Sequence, residues 1–420
     1  KNKRKREFYM KKLIFVLILL FISTICSSSS IFSSKGFVEE NFGLDNYSKG
    51  MGQTGICSIF RKNFSTCNPA LNGTVSKANF SSNLIFGYNY FSAKDGKYKD
   101  KISNFPFVKI IIPVNKTTFL GFNFLSKYQL GLETSKDTTI QDIGNISAEQ
   151  NMTGSINQIG FSFTKGIKAF LIGASINYNF GRESNEIFID FDDSGFNDHF
   201  ESIEKKYDCA NFSLGLAIPL SKFSFAGYYE STLNMNSNRK HTIQYEPDPD
   251  FDLIEVSKEK VKFPSQLGLG MGMKITDFLY AETNYRHSFW KNSTYSGMND
   301  RDSKFVSLGI SYLPYKKLFW KVPTRLGVYY KQLPCKNDDN FINEKAVTLG
   351  FDIPLKVKNK GKVSLALIWG YRGNVSKNYY QDEFIKLSIG FSSADLWRNP
   401  KKFKKDKKIP EMDPKYKLPD

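Results

Sequence analysis

Histidine is scarce in this chain, three in 420 residues, and cysteine is nearly as scarce at five. His199, His241 and His287 lie far apart, and Cys209 and Cys335 form no spaced pattern, so neither a metal site nor a cofactor is expected. Long apolar runs are almost absent too. Only residues 13–22 form one, and ten residues cannot cross the roughly 30 Å of a bilayer core as a helix. A mean hydropathy of -0.38 likewise speaks against a bundle of membrane helices. Catalysis finds little material. His287 has Ser288 beside it, but neighbours on a strand point to opposite faces and cannot act as base and nucleophile. The chain is expected not to be an enzyme.

Acidic residues fall short of basic ones, 41 against 59, which leaves a net charge of +18. The excess is at the ends. Residues 1–12 carry seven Lys/Arg against Glu7, and residues 398–420 carry nine against four acids. No basic stripe crosses the body, so nucleic acid is not an expected partner. The apolar run follows Met10, Lys11 and Lys12 and leads into Ser23, Thr24, Ile25, Cys26 and a serine string. That order predicts a signal peptide within residues 1–30, cleaved among Ser27–Ser30 or lipidated at Cys26. Cys57 and Cys67 would then sit in an exported segment, where free and paired thiols both remain open.

Aromatics are abundant: 15% of the chain, with 38 Phe and 22 Tyr. From residue 83 onward they fall into period-two alternation. Phe170, Ile172, Ala174, Ile176, Tyr178 and Phe180 share one strand face, opposite Gly173, Ser175, Asn177 and Asn179. Repeating this reading gives about fourteen strands: 83–91, 104–114, 117–129, 154–165, 168–180, 208–219, 222–234, 262–275, 278–290, 303–314, 322–333, 344–356, 362–372 and 382–392. The turns at Asn115-Lys116, Gly166-Ile167, Leu220-Ser221 and Thr276-Asp277 are very short. Between them lie the long polar stretches 92–103, 130–153, 181–207, 235–261 and 291–302, read here as loops. Short turns at one end and long connections at the other mark an outer-membrane barrel. Tyr88, Tyr90, Tyr178, Tyr228, Tyr229, Trp290, Tyr312, Trp320, Tyr329, Tyr330, Trp369 and Tyr371 fall toward strand ends, as interfacial girdles would.

The expected fold class is therefore all-β: a closed transmembrane antiparallel barrel of about fourteen strands. Residues 83–392 form the barrel, 31–82 an N-terminal plug in its lumen, and 393–420 a basic periplasmic tail. The chain is expected as a monomer in the bacterial outer membrane, with membrane lipid as a partner. Glu282, Asn284 and Arg286 share the inward face of one strand, and Arg325 and Lys331 that of another. Charges facing lipid would cost about 2–4 kcal/mol near the midplane, so these belong inside. They could hold the plug, or Glu282, Arg286 and Arg325 could meet a ligand. In residues 267–273 the glycines Gly268, Gly270 and Gly272 share one face, which suits close approach by the plug or a thinned lumen stripe.

Several stretches resemble the FadL-like (TodX-type) outer-membrane transporters of hydrophobic compounds, and related Bacteroidetes-type barrels. Tyr47-Ser48-Lys49-Gly50-Met51-Gly52-Gln53-Thr54-Gly55-Ile56 with the later Asn68-Pro69-Ala70-Leu71 is similar to that family's plug signature. Phe263-Pro264-Ser265-Gln266-Leu267-Gly268, the run from Ala281 to Arg286 with Trp290, the run from Thr324 to Tyr330 with Pro334, and Gly370-Tyr371-Arg372-Gly373 resemble its strands. The resemblance implies plug-gated passage of hydrophobic small molecules such as long-chain fatty acids, with Gly50, Met51, Gly52, Asn68, Pro69 and Ala70 in the plug motif. The departure from the family is the basic tail after Phe391. The alternative is a barrel that transports nothing and binds or scaffolds an envelope or secretion complex.

Overall fold

The structure, a computed structural model, describes residues 30–394 apart from 95, 141–143, 192–194, 247–252, 315–321 and 355–360. The expected signal peptide with Cys26, Trp320 and the expected basic tail lie outside the described residues. The described chain is dominated by one antiparallel sheet of seventeen strand segments. Its first segment, β1 (Glu39–Glu40), belongs to a stretch that runs inside. The wall comprises β2 (Asn79–Ser92), β3 (Lys97–Pro113), β4 (Thr118–Ile140), β5 (Gly144–Ile167), β6 (Phe170–Phe191), β7 (Asp198–Pro219), β8 (Phe223–Glu230), β9 (Leu233–Glu246), β10 (Leu253–Phe263), β11 (Gln266–Lys274), β12 (Leu279–Ser288), β13 (Ser303–Tyr312), β14 (Thr324–Asn337), β15 (Asn340–Pro354), β16 (Lys362–Gly373) and β17 (Gln381–Ala394).

β8 and β9 are one stave broken at Ser231-Thr232, and β10 and β11 one stave broken at Pro264-Ser265, so the wall has fourteen staves. Proline has no amide to donate, which is why the ladder stops there. β17 pairs with β2 from Gln381 opposite Ser92 to Ala394 opposite Asn79, and that ladder closes the barrel. Closure leaves no open edge in the lipid layer, where an unpaired amide would find no water.

Alternation sets inside against outside. Phe122, Phe161, Ile176, Leu214, Leu269, Leu326 and Trp369 are exposed on the outer surface. Asn123, Ser162, Asn177, Ser213, Glu282 and Arg325 are buried on the inner one. Three expected girdle residues do not face outward. Tyr228, Trp290 and Tyr329 are buried in the lumen. In Tyr228-Tyr229 and Tyr329-Tyr330 only one ring of each pair can face lipid, and the partner turns inward.

The second difference concerns the long polar connections. Stretches 130–153, 181–207 and 235–261, expected as loops, are largely strand: the β4–β5 ladder continues to Ile140 opposite Gly144, and β6–β7 to Ile189 opposite His199. β9 and β10 likewise stay paired out to Ile243 opposite Leu253. Six staves, β4 to β7 with β9 and β10, thus rise above the belt as a one-sided sheet. From Phe180 to Phe191 this is a height of about 35 Å along the strand. Of the other staves, β14 and β15 join in a tight turn where Asp338 takes φ 53°, whereas residues 289–302 between β12 and β13 form a long connection, as expected for 291–302. His199, placed in a loop by sequence, therefore lies on β7.

Candidate functional site

Residues 30–78 run through the lumen, and the first strand takes over at Asn79 rather than at residue 83. The Ser30 amide donates to the Gly131 carbonyl at 3.1 Å, near the raised end of the barrel. From there the segment descends to β2. Glu39 and Glu40 lie opposite Gln129 and Tyr128, adding a short strand to the β4 edge. A four-residue helix, α1 (Asn46–Lys49), packs on β15, β16 and β17. Asp45 caps it, accepting from the Ser48 amide at 2.9 Å.

The Gly50-Met51-Gly52 step is where the segment touches the wall most closely. A Cβ on Gly50 would come within 2.7 Å of the Gly350 Cα, and one on Gly52 within 2.5 Å of the Leu308 carbonyl. Gly52 also takes φ +69°, a region side chains disfavour. Its amide donates to Thr348 Oγ1 at 2.7 Å. Met51, fully buried, lies against Gly309 and Gly327 of β13 and β14. The wall glycines make the room, as Gly270 does for Ile56 and Cys57. Asn68-Pro69-Ala70 starts a 3-10 turn over Pro69–Thr74, with Asn68 Oδ1 accepting from the Ala70 amide at 3.0 Å. Thr164 Oγ1 donates to the Pro69 carbonyl at 2.6 Å, and Gly173 faces the Ala70 amide.

The three charged residues expected in the lumen, Glu282, Arg286 and Arg325, all contact this segment. Glu282 accepts from the Gly55 amide at 2.8 Å, the Cys57 amide at 3.0 Å and the Ser58 hydroxyl. Arg286 donates to the Gln53 carbonyl at 3.0 Å and lies over the rings of Phe42 and Phe305. Arg325 pairs with Asp352 at 2.6 Å and covers the Tyr47 ring at 4.4 Å. Cys57 and Cys67 are both free thiols.

Sequence reasoning missed a larger network. Arg372 meets Glu39 and Glu344, each at 2.7 Å, and Asp382 at 3.4 Å; Lys386 meets Glu39 at 3.1 Å, and Lys331 meets Glu40 at 3.1 Å. It also missed Arg61, 2.8 Å from Asp45 and stacked 3.8 Å from the Tyr47 ring. Burial opposes ionisation of Asp45, but Arg61 and the Ser48 donors outweigh it and hold the carboxyl well below the usual carboxylate range. The only signal for these pairs was inward parity, which names a face and not a partner.

Two features decide what the lumen can do. Phe37, Tyr128, Phe263, Trp290 and Tyr295 pack tilted or edge-on, with centroids 5.0–6.4 Å apart, and occupy its raised end. Lower down, the cavities at Lys127–Glu230 and at Glu39–Arg372 measure about 20 and 50 Å³. That is room for one or a few waters, and for no apolar molecule of any size. The wall also has a seam. β3 and β4 pair only from Phe107 opposite Leu125 to Pro113 opposite Phe119. Above that, Asn41 Nδ2 bridges the two lips, 3.1 Å from the Pro106 carbonyl on β3 and 3.1 Å from the Ser126 carbonyl on β4.

Solved structures share this architecture at low identity. A Pseudomonas aeruginosa FadL homologue superposes with a TM-score of 0.60 at 12% identity, covering 86% of this chain and 99% of that one. The Pseudomonas putida toluene transporter TodX gives 0.59 at 14%, covering 85% and 98%. The Ralstonia pickettii toluene transporter TbuX gives 0.56 at 13%, covering 84% and 98%. The barrel is thus FadL-like in fold. No curated protein matches the chain in sequence. The BamG family model matches residues 9–404, nearly the whole length, and the chain belongs to the BamG family.

Proposed function

We propose that this protein is an outer-membrane barrel plugged by its own N-terminal segment, and that it works by docking an envelope or secretion complex rather than by passing solute. The observation that carries this reading is the filled lumen. Charges that could have lined a passage are engaged with the plug or in ion pairs, the raised end is occupied by packed aromatic rings, and the cavities at Lys127–Glu230 and Glu39–Arg372 have room for a few waters only. The one-sided raised sheet offers the working surface. On its concave face, continuing the lumen-facing parity, Ile187, Ile203 and Ile243 remain half-buried. Apolar side chains left in a solvent-facing trough mark an interaction surface.

A second reading rests on the seam. If the plug's upper stretch left β4, a hydrophobic molecule such as a long-chain fatty acid or a monoaromatic could pass between β3 and β4 into the membrane. The FadL-like fold supports this alternative, and Asn41 would be its clasp.

Two measurements separate the readings. The docking reading expects the protein, extracted in mild detergent from its own envelope, to travel in an assembly well above its 48.1 kDa. Ile187→Asp with Ile243→Asp should release it from that assembly without unfolding it. Migration as a lone barrel, together with labelled fatty-acid uptake by transporter-deficient cells expressing the chain, would overturn docking in favour of passage.

A further inference from the structure

The raised sheet has two lateral edges, on β4 and on β10, and they differ. On the β10 side the neighbouring stave stops. β12 ends at Ser288 opposite Gln266, so Leu253–Phe263 pairs as a strand with β9 alone. Thr294 shows which way its backbone points. The Thr294 amide donates to the Lys262 carbonyl at 3.1 Å, and the Thr294 hydroxyl accepts from the Lys262 amide at 2.9 Å. Lys262 thus turns both backbone groups away from β9, and the two-residue period turns those of Ile254, Val256, Lys258 and Lys260 the same way. Among the described residues, none bonds the backbone of these four on that side. Every residue from Leu253 to Lys260 is exposed, whereas His241 to Tyr245 on β9 are half-buried.

The β4 edge is guarded, since Glu133 to Thr139 are polar or charged throughout, as suits an edge that must stay single. On β10 only the lower half has such guards, Lys258, Lys260 and Lys262. The upper half presents Ile254 and Val256, 60% and 72% exposed. Val256 lies about 20 Å along the strand above Lys262. That is beyond the belt, whose top the exposed Tyr229 and Leu269 mark, so lipid does not account for it. Exposed β-branched side chains beside unpaired backbone groups are the means by which one strand recruits another. Leu253 lies opposite Ile243, so the edge continues the apolar floor of the trough. Lower down, Lys258 and Lys260 set the charge that an added strand would meet. Asp208 keeps its own charge but stands two strands from Lys260, bonded to Asn236. A carboxylate on an added strand would stand directly opposite, one strand away.

We infer that the β10 edge, residues 253–260, takes an extended segment of the docked partner as a further antiparallel strand. That segment carries apolar side chains beside Ile254 and Val256 and carboxylates beside Lys258 and Lys260. The assignment rests on the docking reading, which it makes specific. A second copy of this chain does not suit the edge. Two barrels side by side in one membrane bring equal heights together, so Lys258 and Lys260 would face themselves, and like charges directly opposite are destabilising.

The test uses the full-length barrel in mild detergent and a fluorescein-labelled peptide, Glu-Thr-Glu-Thr-Val-Thr-Val-Val, whose residues stand in order opposite positions 260 to 253. Its fourth and sixth amides, which point away from β10, are N-methylated so that it does not pair with itself. Anisotropy should rise and saturate within millimolar peptide. Moving the methyl groups to the third and fifth amides, which point at β10, should weaken binding at least about tenfold. Val256→Pro removes one edge N–H without touching the β9 ladder and should weaken it similarly. Replacing both peptide Glu by Lys should also weaken it, and Lys258→Glu/Lys260→Glu should reverse that preference, by about tenfold. A heat-dependent gel shift checks closure; if a variant does not close, the two methylation patterns on the wild-type protein decide. No saturable binding, or equal binding by both methylation patterns, would overturn the inference. Failure of the docking reading is visible separately, as wild-type protein that leaves its own envelope as a lone barrel although the peptide binds.

Discussion

Lys127 and Glu230 meet at 2.5 Å across the lumen, and each marks a fault in its own strand. Lys127 is the extra residue of a bulge in β4, skipped between Ser126 and Tyr128 in the ladder to β5. Glu230 is the last residue of β8 before its stave breaks. Gln158 and Asn211 also donate to Glu230, at 3.1 and 3.0 Å. The side chains freed where the ladders falter thus hold one another, which ties the β3–β4 seam to the far wall.

Removing one partner leaves a buried charge alone. Lys127→Met or Glu230→Leu singly should destabilise the barrel by about 3–5 kcal/mol, and the double variant should recover most of that loss. Urea unfolding in detergent micelles, followed by tryptophan fluorescence, measures the cycle. Additive losses would show that the two residues do not act as a pair.

Glu282 gathers three donors from residues 55–58, so Glu282→Ala should loosen that stretch while the wall stays closed. Cys57 reports it. In a chain whose other cysteines are alanine, the buried Cys57 should resist maleimide in the parent and react at least about tenfold faster in the Glu282→Ala variant, the effect of losing some 1.4 kcal/mol of local protection. An unchanged rate would mean the plug is held without Glu282.

Asn41→Ala removes the two bonds its own side chain makes across the seam and leaves the bond from Asn104 to Gln129 in place. Amide exchange in residues 126–131 should quicken by about tenfold, with little change in β13 to β16. Uniform exchange along β4 would contradict the clasp.

Lys49 makes stability depend on pH. It is buried with no hydrogen-bond partner, and burial first, then nearby Lys386, lowers its pKa to about 7. Between pH 7 and its ordinary value near 10.5 the unfolded chain carries the proton and the folded one does not. Stability should therefore rise with pH across that window. Lys49→Met should remove the rise and add stability at pH 7. Asp45 works at the acid end: its lowered pKa stabilises the fold above the ordinary carboxylate range, and that contribution fades as pH falls through it. Thermal melting from pH 3 to 10 tests both.

Much of this architecture was legible in the sequence, and the failures have physical reasons. Alternation revealed each stave where one face meets lipid, as in Phe170 to Phe180, because only there do the two faces differ sharply in polarity. Above the belt both faces of β6 and β7 meet water, so residues 181–191 and 198–207 read as loop although they are strand. Parity placed Glu282, Arg286 and Arg325 inside. It could not pair Glu282 with the Gly55 and Cys57 amides, which lie more than 220 residues earlier and meet it only when the barrel closes. Trp290 read as an interfacial ring, yet a short 3-10 turn after β12 carries it into the aromatic cluster. The Gly-Met-Gly step was visible as a motif, and its reason, contact with Gly309, Gly327 and Gly350, required the wall.

The central claim is that the plug seals the lumen. Uptake of labelled oleate and of labelled toluene by transporter-deficient cells making the full chain tests it most directly, with closure confirmed by the heat-dependent gel shift. The account predicts no gain over cells carrying an empty vector. A gain that scales with the amount of closed barrel would contradict it.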